Sequence, residues 1–147
     1  MTRVTHGQAF KGKRTKLYKA WENMITRAKS DRYTSQGRGV CEEWSASFEA
    51  FARHIGPPPV GKFSVDRINN DRGYEPGNVR WATAQDQLRN TKLYSTNKTG
   101  VKGVIWDKAR GSFRAGITVD YKEVFLGRFG TLEEARSARE SGEKRFW

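Results

Sequence analysis

Apolar residues recur at helical spacing in the first part of the chain and at alternate positions after Gly100, so the chain changes its structural habit midway. Leu17, Trp21, Met24, Ile25 and Ala28 fall on one face of a helix and predict an amphipathic helix from Lys16 to Ser30. Arg32 to Val40 is polar and contains glycine, which predicts a loop. Phe48, Phe51, Ala52 and Ile55 predict a second helix that begins near Ser45. Gly56 and Pro57, Pro58 and Pro59 end it, because proline neither donates a backbone hydrogen bond nor fits a continuing turn. Phe63 to Ile68 alternates and predicts a strand, Asn69 to Gly73 is turn chemistry, and Val79 to Ala82 predicts the returning strand. Thr83 followed by Asp86 is a helix start, predicting a third helix that runs to Asn90.

Thr91 to Lys98 is polar and aperiodic, which predicts a linker over residues 92–99. Beyond it Phe113, Ala115, Ile117 and Val119 alternate with Arg114, Gly116 and Thr118, the pattern of a half-buried strand. Lys102 to Lys108 before it and Lys122 to Phe129 after it predict two partners. The connections, Ala109 to Gly111 and Asp120 to Tyr121, are too short for anything but an antiparallel meander. Thr131 and Glu134 form a capping box at the head of a last helix, with Leu132, Ala135 and Ala138 facing inward. The alternation turns Arg114 and Thr118 outward, and Phe125 falls on the outward parity of the third strand, opposite to Val124 and Leu126. The expected fold class is α+β: a ββα module with N-terminal helices over residues 16–91, then a three-stranded antiparallel sheet packed on one helix over residues 100–147. A basic flexible arm, residues 1–15, precedes both.

Charge then decides the class of partner. The chain has 28 Lys and Arg against 16 Asp and Glu, a net charge of +12. Such an excess points to a polyanion, and nucleic acid is the usual one. There are 17 basic against 9 acidic residues before Asn97 and 11 against 7 from there on, so each half is basic. The arm and its continuation carry Arg3, Lys11, Lys13, Arg14, Lys16 and Lys19 with no acid, a composition suited to lying along phosphates. Cys41 is the only cysteine, which leaves no intrachain disulfide and no thiolate zinc site. No apolar run approaches the ~18 residues of a membrane span, and no secretory core is present at the start. The expectation is an intracellular, cytoplasmic protein with no membrane partner.

Within this frame the words CEEW (Cys41 to Trp44), GPPP (Gly56 to Pro59) and VDRINNDRGYEPGNVRWAT (Val65 to Thr83), together with Trp21 and the glycines Gly37 and Gly39, resemble phage and mobile-element proteins related to HNH homing endonucleases. The resemblance covers Leu17 to Asn90. It implies a ββα fold around one divalent ion, Mg2+ or Mn2+, that stabilises the leaving oxygen of a scissile phosphate. Matched by position, Asp66 falls on the metal-binding carboxylate, Arg67 on the base, Asn78 on the central loop-holding asparagine and Gln87 on the helical ligand. Two of the four depart from the pattern. A guanidinium stays protonated at any useful pH and is no general base, although it is able to clamp a phosphate. Gln87 keeps an oxygen donor on a longer stem. The plainer reading of Asp66 and Arg67 is an internal ion pair, and of Asn70, Asp71, Tyr74 and Asn78 it is loop closure.

The words GVKGVIWDK, FRAGITV and VFLGRFGTLEEA in the second half resemble the DNA-binding domain of plant Apetala and ethylene-response transcription factors. That resemblance implies that the sheet, not the helix, enters the major groove. Ile105, Asp107 and Thr118 stand where the plant domains carry arginine, so base preference does not carry over. The expected function is a phage-type double-stranded-DNA-binding protein with a degenerate nuclease fold. The DNA-contacting set is Lys13, Arg14, Arg67, Arg72, Arg80, Arg89, Lys102, Trp106, Lys108, Arg110, Arg114, Thr118 and Phe125. Two alternatives stay open: an active metal-dependent nicking endonuclease, and a small basic effector that docks on a host nucleic-acid enzyme.

Overall fold

The computed structural model describes residues 9–10 and 13–147, with side chains from Arg14 onward. The chain is mixed α+β and divides into two compact units between Thr91 and Lys92. Most of the expected basic arm, and the side chain of Lys13, lie outside the described residues. Ala9–Phe10 (β1) and Lys13–Arg14 (β2) pair antiparallel where an arm was expected.

In the first unit, α1 spans Lys16–Ala28, with the Thr15 hydroxyl accepting from the Tyr18 N–H as cap. The segment expected as loop contains one helical turn, α2 (Asp31–Thr34), which begins after the extended backbone of Ser30. The expected second helix begins at Phe48 and not near Ser45, and a short unexpected helix precedes it. α3 (Glu42–Ala46) stops at Ser47, whose extended backbone lets its hydroxyl cap α4 (Phe48–Ile55). Gly56, at φ 72°, ends α4 in a conformation that suits glycine. β3 (Ser64–Arg67) pairs with β4 (Val79–Ala82), placing Val65 opposite Trp81 and Asp66 opposite Arg80. α5 (Ala84–Arg89) follows, and its capping box is complete. The Thr83 hydroxyl and amide donate to Asp86, which holds that carboxyl below the ordinary aspartate range. Met24, Trp44, Phe51, Val65 and Tyr74 form the core. Full burial of a side chain such as Phe51, at 0 % exposure, stabilises the unit by about 2–3 kcal/mol.

In the second unit, β5 (Val104–Asp107), β6 (Ser112–Val119) and β7 (Lys122–Phe129) form the three-stranded antiparallel meander. α6 (Leu132–Phe146) packs on one face through Leu132 and Ala135 against Val104, Ala115, Leu126 and Phe129. β5 starts two residues later than the alternation predicts. Gly103 holds φ 75° there, and a Cβ on it would meet the Gly116 carbonyl and the Arg139 guanidinium at 2.4 Å. Arg139, 4 % exposed, donates to the Gly116 carbonyl and pairs with Glu143 at 2.9 Å, tying helix to sheet. Asn97 and Thr99, expected in the linker, belong to this unit. The Asn97 amide donates to the carbonyls of Val101 and Val104, and the Thr99 hydroxyl donates to Val104. Among the described residues no helix is long and apolar enough to cross a membrane.

Candidate nucleic-acid interface

Alternation along β3 sends Val65 and Arg67 into the core and leaves Ser64 and Asp66 on the side that meets α5. Arg67 is therefore not a phosphate clamp. It is 7 % exposed, its guanidinium lies 4.9 Å from the Tyr33 ring centre and 5.1 Å from that of Tyr74, and it donates to the Arg72 carbonyl at 2.9 Å. Nor is it the ion-pair partner of Asp66. That partner is Arg80, across the hairpin at 3.4 Å. The second group on Asp66 is Asn90, whose amide donates to the carboxylate at 3.1 Å and to the Arg67 carbonyl at 2.6 Å. Gln87, expected as the helical ligand, donates to the Ser64 hydroxyl instead. Asn90 was missed by sequence reasoning, although it lies three residues after Gln87 and hence on the same helical face.

Asn78 is 1 % exposed and closes the turn. Its amide donates to the carbonyls of Asn69 and Gly73, at 3.1 and 2.8 Å, and its oxygen accepts from the Asn69 amide at 2.8 Å. Removing it strands one donor and two acceptors in a part-buried turn, so Asn78→Ala is expected to lower stability by about 2 kcal/mol. A urea midpoint shift at unchanged slope checks this.

The donors offered to a divalent ion here are few. Mg2+ takes a near-octahedral set of oxygens, and the site offers one carboxylate, which a guanidinium already faces. No group of three His, Cys, Asp or Glu side chains able to hold a metal occurs among the described residues. His54, the one imidazole described, tilts against the Trp44 ring at 4.9 Å and accepts a long bond from the Gly77 amide.

The other first-unit arginines expected on DNA lie beside acids. Arg72 pairs with Glu75 at 2.6 Å, Arg89 lies 3.9 Å from Asp86, and Arg14 holds Glu22 at 3.1 Å.

The second unit gathers its groups. The register aligns Ile105, Arg114 and Arg128 in one row across the sheet. A bulge then skips Leu126, so that Ala115 faces Gly127 while Gly116 faces Phe125. Gly127, at φ 143°, makes that break possible. The bulge reverses parity within β7, which turns both Phe125 and Arg128 to the face that α6 leaves open. Phe125 is 50 % exposed, with the Arg114 and Arg128 guanidinium carbons 5.7 and 5.2 Å from its ring centre. Thr118 is exposed on the same face. Acids hold both arginines: Glu123 lies 2.9 Å from Arg114 and Asp107 lies 3.7 Å from Arg128. Asp107 also takes the Arg110 guanidinium, at 3.4 Å. Arg110, and the Asp120–Tyr121 tip between β6 and β7, stand exposed at opposite ends of the sheet. Lys108 lies in the same exposed turn as Arg110.

Two expected contacts are displaced from this face. Trp106 stands opposite Phe113 on the side that packs α6, with ring centres 4.7 Å apart, because its parity is that of Val104. Lys102 sits in the turn before β5. Burial pushes its pKa down, and its charged neighbours Arg139 and Glu143 are on α6. Arg128 was missed, since strict alternation from Phe125 would have turned it inward. The pair Leu126–Gly127 was the only signal of the break.

No family model, no curated protein and no solved structure matches this chain.

Proposed function

We propose that the protein is a two-module double-stranded-DNA-binding protein of phage or mobile-element type, in which a degenerate HNH-like ββα fold no longer cuts. The observation that carries the reading is the open face of the β5–β6–β7 sheet. It sets two arginines around one exposed aromatic ring, with the helix packed on the other side. Guanidinium groups in a row, alternating with a flat apolar ring, suit phosphates and base edges in a groove. Arg110 and Lys108 extend the charge beyond the strand end. The first module adds the cations of α1 and the β3–β4 hairpin. Two weak units on one chain gain from effective concentration. The loss of cleavage follows from chemistry: the base position holds a buried guanidinium, and the carboxylate is committed to Arg80 and Asn90. Possible action on a host protein is the outcome to be looked for if duplex fails to bind.

The acids on the sheet supply the test. On DNA, Arg114 would exchange the Glu123 carboxylate for a phosphate, and that carboxylate would then face a polyanion. Glu123→Gln is therefore expected to tighten duplex binding about threefold at low salt, by an amount that shrinks as salt is added. Fluorescence anisotropy with a labelled duplex reads it. Unchanged or weaker binding would count against the sheet face as the DNA surface.

A further inference from the structure

In the first unit a cleft of about 160 Å³ lies between α1 and the β3–β4 hairpin. Of the basic residues that the sequence suggested for phosphates, Lys16 and Lys19 line it. Its rim carries Lys16, Lys19, Asn23 and Arg27, which succeed one another at helical intervals along α1, and Ser64 from β3. Its floor is apolar and aromatic, with Met24, Val65, Phe63 and Trp81. No carboxylate lines it among the described residues. Glu22, the one acid of α1, is held by Arg14.

The fold alone gives little reason for this charge. Like charges one turn apart on a helix repel by a few tenths of a kcal/mol. The Lys16 ammonium donates to the Gly61 carbonyl, and Arg27 donates to the Tyr74 hydroxyl at 3.3 Å. Each of these groups carries more protons than those bonds use. Burial opposes the Arg27 charge, and Tyr74, Tyr33 and Asp66 together outweigh it, so that the guanidinium pKa is raised. Burial likewise keeps the Tyr74 hydroxyl protonated to higher pH than usual.

A cavity of about 150 Å³ holds a benzene ring within a protein. This cleft is of that order, the size of one aromatic base. We infer that it binds a single unpaired nucleotide of a DNA strand, with the phosphate on Lys16, Lys19 and Arg27 and the base against Trp81 and Phe63. The inference deepens the DNA-binding reading and rests on it. It assigns the first module a task that the sheet of the second module does not perform: holding a nucleotide that has left the duplex, as at an end, a gap or a mismatch.

The test uses the full chain and three probes, thymidine monophosphate, thymidine and inorganic phosphate, followed through the Trp81 indole N–H and the Asn23 and Ser64 amides by NMR. The monophosphate is expected to shift all three in the millimolar range, phosphate more weakly, and thymidine least. Lys16→Gln with Lys19→Gln, both at exposed positions, should weaken monophosphate binding about tenfold, the loss expected from two exposed charge-assisted contacts. Absence of shifts with the monophosphate, equal shifts with thymidine, or undiminished binding in the double variant would each overturn the inference. Duplex binding measured on the same sample separates the two claims. Duplex bound with no monophosphate shift refutes the cleft and leaves the DNA reading standing. Monophosphate bound with no duplex affinity supports the cleft and refutes the duplex reading.

Discussion

An Arg67→His chain will leave supercoiled plasmid intact in magnesium or manganese, and it will unfold at a lower urea concentration than the parent. Both results follow from where β3 points this residue. Restoring an imidazole at the sequence position does not restore a base, because the side chain enters the core between Tyr33 and Tyr74 and not the side that holds Asp66. The guanidinium makes two ring contacts there, each worth about 1–2 kcal/mol when desolvated. Its bond to the Arg72 carbonyl is worth about 1–3 kcal/mol more. Relief of the desolvated charge and the packing of the smaller ring offset part of this. The net loss is about 2 kcal/mol for histidine, and about 3 kcal/mol for Arg67→Ala, where a void remains. Nicking by the Arg67→His chain that vanishes on adding Asp66→Ala would contradict the account.

Replacing Arg114 and Arg128 together by alanine is expected to weaken duplex binding about 30-fold at moderate salt and to make the salt slope shallower by about two. The two side chains lie in one row on the open face, and each has a carboxylate that it is able to trade for a phosphate. Phe125 keeps its ring in place through the strand, so the double variant removes charge without removing the aromatic surface. Because neither arginine is buried, the unfolding midpoint should move little. A large affinity loss with a conserved midpoint is the signature of an interface. A lost midpoint with unchanged affinity would assign the pair to structure.

The elements were legible in the sequence where one period ran without interruption. The apolar stripe of α1, the capping pairs Thr83–Asp86 and Thr131–Glu134, and the alternation of β6 all rest on local chemistry that tertiary packing does not override. The helical turn at Asp31–Thr34 and the break at Ser47 were not legible, since each lies at a serine of extended backbone inside a polar or mixed stretch. The candidate sites were less legible than the fold. Position matching put Asp66 on the metal-binding carboxylate and Asn78 on the loop-holding asparagine, but it did not reveal which side of β3 Arg67 occupies, nor that Asn90 and not Gln87 meets Asp66. On the sheet, Arg114, Thr118 and Phe125 followed from parity. Parity also gives the inward place of Trp106, against the resemblance that set it on DNA, but it does not give Arg128. Trp106 has the parity of Val104, and Arg128 lies beyond a bulge that only the paired register reveals. Parity is a local rule, and one extra residue reverses it for the rest of the strand.

The most direct measurement is the equilibrium constant for a labelled duplex as a function of salt concentration. If the two modules neutralise about six phosphates, the log–log slope is near −5. Affinity that does not change with salt, or no duplex binding at low salt, would contradict the central claim that this chain's basic surfaces exist to seat DNA.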